Sequence, residues 1–584
     1  MGLPAWLAGV VGAVAGTVYA AGPGGLCLGG PGADGLTPEH RAQLLIQQAS
    51  QLLTAPRSAE HGVQGDLPNG RSVTSLLNEI KALDSHVGPL ALGELGPLLS
   101  RPTGLMSEYR TAHFLIHYAA EGIDRPLGSP SLGFLDAAGA ACERAWTVHH
   151  TQYGWPLPLA AGDGLLDVFV KDLGWGAYGY TLHESAGEGS GESGFIVMDN
   201  DFTGYGSLSP VEALQVTLAH EYRHLVQFGF GYAPEADWFM EQCATMMEGQ
   251  VCPENPDRYR YLPFFAEGPY HRLDLSNGSF EYGAWLWPQF LFDRPGWGMP
   301  VLIAAWDAWR GTGRNMLEAL DVALQGYDAS LEGAFREWAI WNAFLGRQDD
   351  GRHYPRLGEY PCAVGVEARV TSYPAESLRP ALTHQPERLG ASYLEFVPEA
   401  GSPHNRLELR LQACEGLLGA HLIAWPRGGG APIVQPVALS AGAGLIELTG
   451  WNEAESACLV IAVGSAAPTA CDYAVSAHTR LTSADVDENP TAHPLLRLSI
   501  TPNPFDPCTV IAYELPAEAP VSLRIFDAAG RVLETLVNAT QPSGNYVVEW
   551  RGPRPTEAGS EAGVFFCEIR TPEGARRLRL VHLR

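Results

Sequence analysis

The chain has 584 residues, enough for roughly three or four domains of about 100–200 residues each. Its 37 basic and 65 acidic residues give a formal net charge of -28 without any basic stripe, which argues against nucleic acid as a partner. The ten cysteines are scattered and contain no CxxC pair, which argues against a zinc site built from cysteines.

Residues 1–20 have the pattern of an export signal peptide. The apolar run at 7–18 is too short to span a bilayer, and Val18 and Ala20 give the small-x-small pattern that precedes a cleavage point, although no Lys or Arg precedes the run. No later stretch is long and apolar enough to cross a membrane. We therefore expect an extracellular or cell-surface protein that has no transmembrane span after removal of the signal.

Two pairs of cysteines lie close together in the sequence, Cys243 with Cys252 and Cys458 with Cys471. In an oxidising compartment some cysteines should pair. The sequence alone assigns neither pair, and buried free thiols are an equal alternative.

Residues 21–107 are predicted to be a helical N-terminal segment. Thr37 is the expected cap of an amphipathic helix and Pro38 occupies its first turn, and a helical pattern continues to about residue 100. This piece is either a removable pro-segment or a packed subdomain.

Residues 108–354 are predicted to form a mixed α and β domain. Strands are expected for three short runs with apolar residues, at 111–118, 165–170 and 195–198. A helix is expected at 129–150, and helices dominate from 210 to 346, including 315–325 and 330–345.

Two all-β domains are predicted after this region. Residues 355–484 contain short strands separated by Gly/Pro turns, a pattern typical of a β-sandwich. Residues 485–494 are polar and resemble a linker. Residues 495–584 form a second, smaller β-domain, in which apolar and polar side chains alternate over 521–525.

A well-marked helix follows residue 209. Ser209 and Glu212 form a predicted capping box with Pro210 in the first turn, and Gly229 and Gly231 are expected to end the helix. In a helix the positions i and i+4 share one face, so the spacing of residues inside this segment has direct structural meaning.

The middle of this helix carries the motif HExxH at residues 220–224. His220 and His224, one turn apart, can both reach one tetrahedral zinc ion at about 2.0–2.1 Å. Glu221 is rotated by about 100° from His220 and can meet a water bound to the metal rather than the metal itself. That position is the one that a general base requires.

A zinc site also needs a third protein ligand. One source would be the longer motif HExxHxxGxxH, but Gln227 and Phe230 occupy its glycine and final histidine positions. The other source is a glutamate on a later helix, which the sequence predicts at 238–248 between Asp237 as N-cap and Gly249 as its end.

Two glutamates on this second helix are candidates for the third ligand. Glu241 is favoured, because an unpaired carboxylate on so apolar a segment would be costly and a metal would satisfy it. Glu248 lies seven residues later on the same face and is either the rival ligand or a partner that orients a ligand.

The combination of HExxH, a short loop and W-x-x-E-x-x-A at 238–244 resembles the gluzincin metallopeptidases, and more closely secreted bacterial metalloproteases. The resemblance covers about 108–350, with further landmarks at 111–117, 167–170, 199–202 and 282–285. It implies a zincin-like fold and a zinc ion held by His220, His224 and Glu241. Many gluzincins have an aspartate four residues after the ligand glutamate, where this chain has Thr245.

The C-terminal region resembles the immunoglobulin-like C-terminal domains of exported bacterial proteins. The resemblance runs from the sequence NPFDP at 503–507, through 564–566, to the basic end at 576–584. Some such domains serve as sorting signals, which implies contact with the cell surface or the secretion machinery. A spacer β-domain is an equal alternative.

The sequence thus predicts a multidomain protein, with an α+β zincin-like metallopeptidase domain followed by β-sandwich and immunoglobulin-like domains. The expected function is secreted zinc-dependent hydrolysis of protein or peptide substrates, with Glu221 moving the proton of a zinc-activated water. Tyr282 and His271 are candidate donors to the oxyanion. The alternatives are a degenerate peptidase domain in a surface-binding or adhesion protein, and a zinc hydrolase for non-peptide bonds.

Overall fold

The computed structural model describes residues 37–54, 73–83 and 93–582, with short gaps in the last range, the longest at 482–496 and 553–562. The predicted signal peptide at 1–20 and the predicted linker at 485–494 lie outside the described residues. The chain divides into two compact units, 1–481 and 482–584.

Within the described residues, the N-terminal segment forms helical elements, as its sequence pattern predicts. It contains helix α1 (Pro38–Thr54), helix α2 (Thr74–Ala82) and a 3-10 segment (Gly93–Leu99). The backbone N–H of His40 donates to Thr37 Oγ1, which supports the expected cap. A small apolar cluster joins the three pieces and includes Leu45, Ile80 and Leu95.

A five-stranded mixed sheet follows, in the order β1-β2-β3-β5-β4. Its strands are β1 (Ser107–Arg110), β2 (Phe114–Tyr118), β3 (Leu166–Lys171), β4 (Gly179–His183) and β5 (Gly194–Asp199). The three inner strands run parallel, and the two edge strands β1 and β4 are antiparallel to their neighbours. The sequence pattern predicts the inner strands, whereas the edge strands β1 and β4 have no counterpart among the predicted elements.

Both faces of this sheet are covered, because alternate side chains of a strand point to opposite faces. Val168 and Ile196 belong to the large core shared with the helices of the same region. Phe169 and Val197 point the other way and form a separate cluster with Leu77 of α2. The N-terminal segment therefore covers one face of the sheet.

The remainder of this region is helical. The helices are α3 (Gly133–Trp146, continued by a π-helical turn at Thr147–Gln152), α4 (Pro210–Phe228), α5 (Asp237–Val251), α6 (Leu262–Ala266), α7 (Phe280–Gly283), α8 (Leu286–Asp293), α9 (Met299–Trp309), α10 (Met316–Gln325) and α11 (Leu331–Asn342). Short 3-10 segments lie at Pro234–Ala236, Asp257–Tyr261 and Gly346–Gln348. The capping box at the start of α4 is present as predicted.

The predicted ends of helix α5 are wrong at both termini. Asp237 is not the N-cap but the first residue of helix α5, which a 3-10 turn precedes. The buried carboxylate of Asp237 accepts a hydrogen bond from Tyr232. Gly249 does not end the helix, which continues to Val251. A Cβ at Gly249 would overlap the guanidinium of Arg258, so this glycine makes room for a packed arginine inside the helix.

Two five-stranded sheets follow within the first unit, in the orders β11-β10-β14-β8-β6 and β12-β13-β9-β15-β7. Their strands are β6 (Ala368–Val370), β7 (Ala375–Leu378), β8 (Ala391–Phe396), β9 (Arg406–Ala413), β10 (Leu417–Pro426), β11 (Ile433–Pro436), β12 (Ala438–Ser440), β13 (Ala443–Thr449), β14 (Ala454–Val463) and β15 (Tyr473–Arg480). The inner faces share one apolar core, as in a sandwich. The first sheet also packs on α11, where Tyr393 donates to the carbonyl of Ala339 at 2.9 Å.

The second unit is all β. It has a three-stranded sheet, β16-β17-β20, and a four-stranded sheet, β19-β18-β21-β22. The strands are β16 (Arg497–Thr501), β17 (Thr509–Leu515), β18 (Ala519–Phe526), β19 (Val532–Gln541), β20 (Gly544–Trp550), β21 (Gly563–Thr571) and β22 (Gly574–His582). Val521, Leu523 and Ile525 are buried in its core, as their alternation predicts. The chain is therefore an α+β region followed by β-structure.

The structure shows which of several cysteines are free thiols and which is disulfide-bonded. Cys243 and Cys458 are buried free thiols, which excludes both pairs that are close in sequence. Cys471 is disulfide-bonded. Within the described ranges, no helix combines the length and the apolar character needed to cross a bilayer.

Candidate metal centre

Helices α4 and α5 pack against each other and form the frame of the site. Every residue of α5 is buried, and so is every residue of α4 from Thr217 to its end. Polar side chains on such helices need partners inside the protein, because an unsatisfied buried polar group costs about 1–3 kcal/mol. The histidines and glutamates of this helix pair are therefore informative.

His220, His224 and Glu241 come together between the two helices. Each contributes one donor atom, and these atoms lie within 4.8 Å of one another. Glu241 Oε2 is 3.0 Å from His220 Nε2 and 3.6 Å from His224 Nε2. Donors that share a tetrahedral zinc with bonds of about 2.0–2.1 Å are separated by about 3.4 Å, so these distances fit one ion.

The polar atoms of the cluster also fit a cation. His224 Nε2 is buried without a hydrogen-bond partner in the described structure, which leaves a donor atom directed into the cluster. Burial lowers the pKa of His220, but the hydrogen bonds from its ring to Glu241 and Glu248 outweigh burial and raise the pKa to about 10. The surroundings thus favour a positive charge at this place.

Both imidazole rings are held in orientation through their Nδ1 atoms. His220 Nδ1 lies 2.9 Å from Glu248 Oε1, and His224 Nδ1 lies 2.9 Å from Gln227 Oε1. Gln227 is itself held, because its Nε2 donates to the carbonyl of Met240 at 3.0 Å. With both Nδ1 atoms engaged, both Nε2 atoms face Glu241, which is the side on which a metal would bind.

The two candidate glutamates of α5 have different positions. Glu241 faces the Nε2 atoms of both histidines, whereas Glu248 contacts the opposite nitrogen of His220. The hydroxyl of Thr245, at the position where many gluzincins have aspartate, is buried and has no hydrogen-bond partner in the described structure. Glu248, about one helical turn later, is the carboxylate that contacts His220 Nδ1.

For a zinc ion held by this cluster, we expect Glu248→Gln to weaken binding by about 10–100-fold, because the charged partner of His220 Nδ1 would be lost. Competition with a chromophoric chelator measures the affinity. Glu254→Gln is the control, since the side chain of Glu254 is 61% exposed. Equal zinc affinity for the two variants would show that Glu248 does not support the site.

Glu221 lies outside the group of donors and has its own contacts. Its Oε2 accepts hydrogen bonds from Thr74 and Thr181, each at 2.8 Å, whereas its buried Oε1 has no partner in the described structure. Strand β4 comes very close at this point, since a Cβ on Gly179 would lie 3.2 Å from Glu221 Cγ. The carboxylate is thus fixed through one oxygen, and its Oε1 is left without a partner in the described structure.

Of the two candidate oxyanion donors, the structure brings Tyr282 to the cluster. Its ring centroid is 6.1 Å from that of His220. Burial, followed by the charge of Glu241, raises the pKa of Tyr282 well above its usual value, so its hydroxyl remains a donor. The contacts of His271 are with Tyr270, Phe280 and Glu387, so the structure does not bring His271 into the cluster.

Three polar residues at the site are absent from the sequence-based expectations. Thr74 and Thr181 contact Glu221, and Ser75 Oγ donates to Glu241 Oε1 at 2.7 Å. Thr74 and Ser75 belong to α2, and Thr181 belongs to β4. Hydroxyl residues in these segments carry no local motif, and only the tertiary fold brings them to the carboxylates.

Comparison with known proteins does not identify the chain. No protein-family model matches it, and no curated protein matches it either. Solved structures that align with part of it include β-glucuronidases from Ruminococcus gnavus, at 12% identity and a TM-score of 0.13, covering 33% of this chain and 36% of theirs. A β-glucuronidase from Faecalibacterium prausnitzii aligns at 14% identity with a TM-score of 0.14, also over 33% and 36%. The chain thus spans about a third of the length of these structures, and this likeness supports no conclusion about function.

Proposed function

We propose that the chain is a secreted zinc-dependent endopeptidase whose metal is held by His220, His224 and Glu241. The observation that carries the proposal is the group of three buried donor atoms within 4.8 Å, one of them, His224 Nε2, without a hydrogen-bond partner in the described structure. Two imidazoles and one carboxylate are a donor set that zinc uses in catalytic sites, which keep the fourth position for water.

The bound zinc would polarise a water molecule and the scissile carbonyl. Glu221, whose Oε1 has no hydrogen-bond partner in the described structure, would take a proton from the attacking water on that oxygen and pass it to the leaving amine. Thr181 holds the other oxygen of the same carboxylate in place. Tyr282, whose raised pKa keeps its hydroxyl protonated, is the candidate donor to the oxyanion.

The surroundings of the site favour a peptide as the substrate. Strand β4 is an edge strand that pairs with β5 on one side and lies against the motif helix α4. An extended peptide can pair with such an edge through its backbone, which suits substrates of varied sequence. A mixed sheet with the motif helix packed on it is also the arrangement expected of a zincin-like domain, which is the fold that we propose for this region.

The predicted export signal at 1–20 and the C-terminal β-unit complete the proposal. We propose that the protein acts outside the cell or on its surface, on protein or peptide substrates. We also propose that the last unit is an immunoglobulin-like domain that attaches the protein to the cell surface or to the secretion machinery.

Metal analysis combined with a hydrolysis assay tests the proposed function. We expect about one zinc per chain after gentle purification, and hydrolysis of casein or of a quenched peptide library. A chelator should abolish the hydrolysis, and added zinc should restore it. His220→Ala should contain no zinc. A chain that binds no zinc near one equivalent, or whose hydrolysis survives the chelator, would contradict the proposal.

A further inference from the structure

The first turn of helix α2 lies directly on the catalytic groups. Thr74 Oγ1 donates to Glu221 Oε2 at 2.8 Å, and Ser75 Oγ donates to Glu241 Oε1 at 2.7 Å. These carboxylates are the proposed general base and the proposed third ligand. Two hydroxyl groups at the start of a helix, where the helix dipole favours negative charge, thus contact both of them.

Helix α2 also occupies the outer edge of strand β4. The side-chain amide of Asn78 donates to the carbonyl of Thr181 at 2.8 Å and accepts from the backbone N–H of His183 at 3.1 Å. The N–H of Thr181 donates to Thr74 Oγ1 at 2.9 Å, and Lys81 Nζ donates to the carbonyl of His183. Side chains of α2 therefore contact all four backbone groups that these two residues direct away from β5.

These four groups are the ones that an extended peptide would use to join the sheet at this edge. The amide of Asn78 is chemically equivalent to a peptide group, so it forms the same pair of bonds that a substrate backbone would form. Apolar packing adds to the contact, because Leu77 is buried against the sheet beside Tyr180 and Leu182. With α2 in place, His220, Glu221, His224 and Glu241 are each at most 1% exposed.

We infer that residues 73–83 are a built-in inhibitor that occupies the substrate-binding edge and the catalytic carboxylates. This inference rests on the proposed peptidase function. The segment competes with substrate for β4, and peptide hydrolysis requires that α2 leaves this position. The exposed stretch around Thr103 and Gly104 joins the segment to the rest of the chain and is accessible to a protease.

The test uses the full chain with a recognition sequence for a site-specific protease inserted between Thr103 and Gly104, where a Cβ on Gly104 would meet no atom within 4 Å. Cutting converts the inhibitor from an intramolecular to an intermolecular partner, so dilution should release it. We expect the specific activity of the cut chain to rise at least about tenfold on dilution, while that of the uncut chain stays low. A synthetic peptide of residues 73–83 should lower it again.

Substitutions in α2 separate the specific contacts from general packing. Thr74→Ala combined with Asn78→Ala removes bonds to Glu221 and β4 but keeps Leu77, and it should release the segment at higher concentrations of the cut chain. Ala82→Ser, at an exposed position of the same helix, is the control and should behave as the unsubstituted chain. Amide hydrogen exchange of residues 179–183 should increase in parallel with release.

The outcomes distinguish the inhibitor from the peptidase. Equal, measurable hydrolysis by the cut and uncut chains at every dilution would overturn the inference while leaving the proposed function in place. Absence of hydrolysis in both chains, with faster exchange in β4 after cutting, would refute the peptidase but support occupation of the edge. Unchanged exchange in β4 after cutting and dilution, with no effect of the double substitution, would overturn the inference as well.

Discussion

Glu221→Gln is expected to reduce peptide hydrolysis by about 10²–10⁴-fold while the zinc content stays at about one per chain, because an amide cannot take the proton of the attacking water. The substitution keeps the shape of the side chain and an oxygen that can accept from Thr74 and Thr181. It changes no atom of the group formed by His220, His224 and Glu241. The loss should therefore appear in kcat rather than in metal affinity.

The measurement is made on the chain cut between Thr103 and Gly104, so that helix α2 does not mask the effect. Glu121→Gln, at an exposed position, is the matched control and should keep full activity. Thermal unfolding of all three proteins shows whether a loss reflects the fold. Hydrolysis by Glu221→Gln at the control rate, in a preparation free of other peptidases, would remove Glu221 from the mechanism.

The sequence predicts that His220, His224 and Glu241 come together, because the signals that place them are local. The capping box at Ser209 and Glu212 defines where α4 begins, and the helical period then puts His220 and His224 on one face. Glu241 could be named because a carboxylate on an apolar helix needs a partner. In the structure its Oε2 lies 3.0 Å from His220 Nε2.

The periphery of the site depends on contacts that are distant in sequence. Thr74 is 147 residues from Glu221, and Ser75 is 166 residues from Glu241. Strand β4 is short, and its Gly179 is required by the close approach to α4 rather than by a turn. No pattern within a window of the sequence contains this information. The sequence alone therefore does not decide whether residues 21–107 are a pro-segment or a packed subdomain.

Helix ends and the packing of the β-sheets also depend on contacts that are distant in sequence. Gly249 has the pattern of a helix stop, but the guanidinium of Arg258 fills the space above it and the helix continues. The turn-rich pattern after residue 355 predicts strands correctly. It does not show that one of the two sheets is covered on both faces, by the other sheet and by helix α11. Tertiary packing overrides the local signals in both cases.

The second large effect is expected for Glu241→Gln, which distinguishes the glutamate proposed as metal ligand from Glu221, the glutamate proposed as general base. The substitution is chemically the same as Glu221→Gln, but here we expect the zinc itself to be lost, because a neutral amide oxygen is a much weaker ligand than a carboxylate. The loss of zinc affinity should exceed the roughly 10–100-fold that removal of an outer partner such as Glu248 costs.

Zinc content and chelator competition measure this effect, with Glu121→Gln again as the control. In the unsubstituted chain, burial opposes the charge of Glu241, but the neighbouring His224 and His220 outweigh it and lower the pKa of Glu241. Glu241 is therefore an anion at neutral pH, ready to bind a cation without first losing a proton. Retention of zinc by Glu241→Gln at unchanged affinity would refute this ligand assignment. A ligand at 241 and a base at 221 together predict that Glu241→Gln loses zinc, whereas Glu221→Gln keeps zinc but loses hydrolysis.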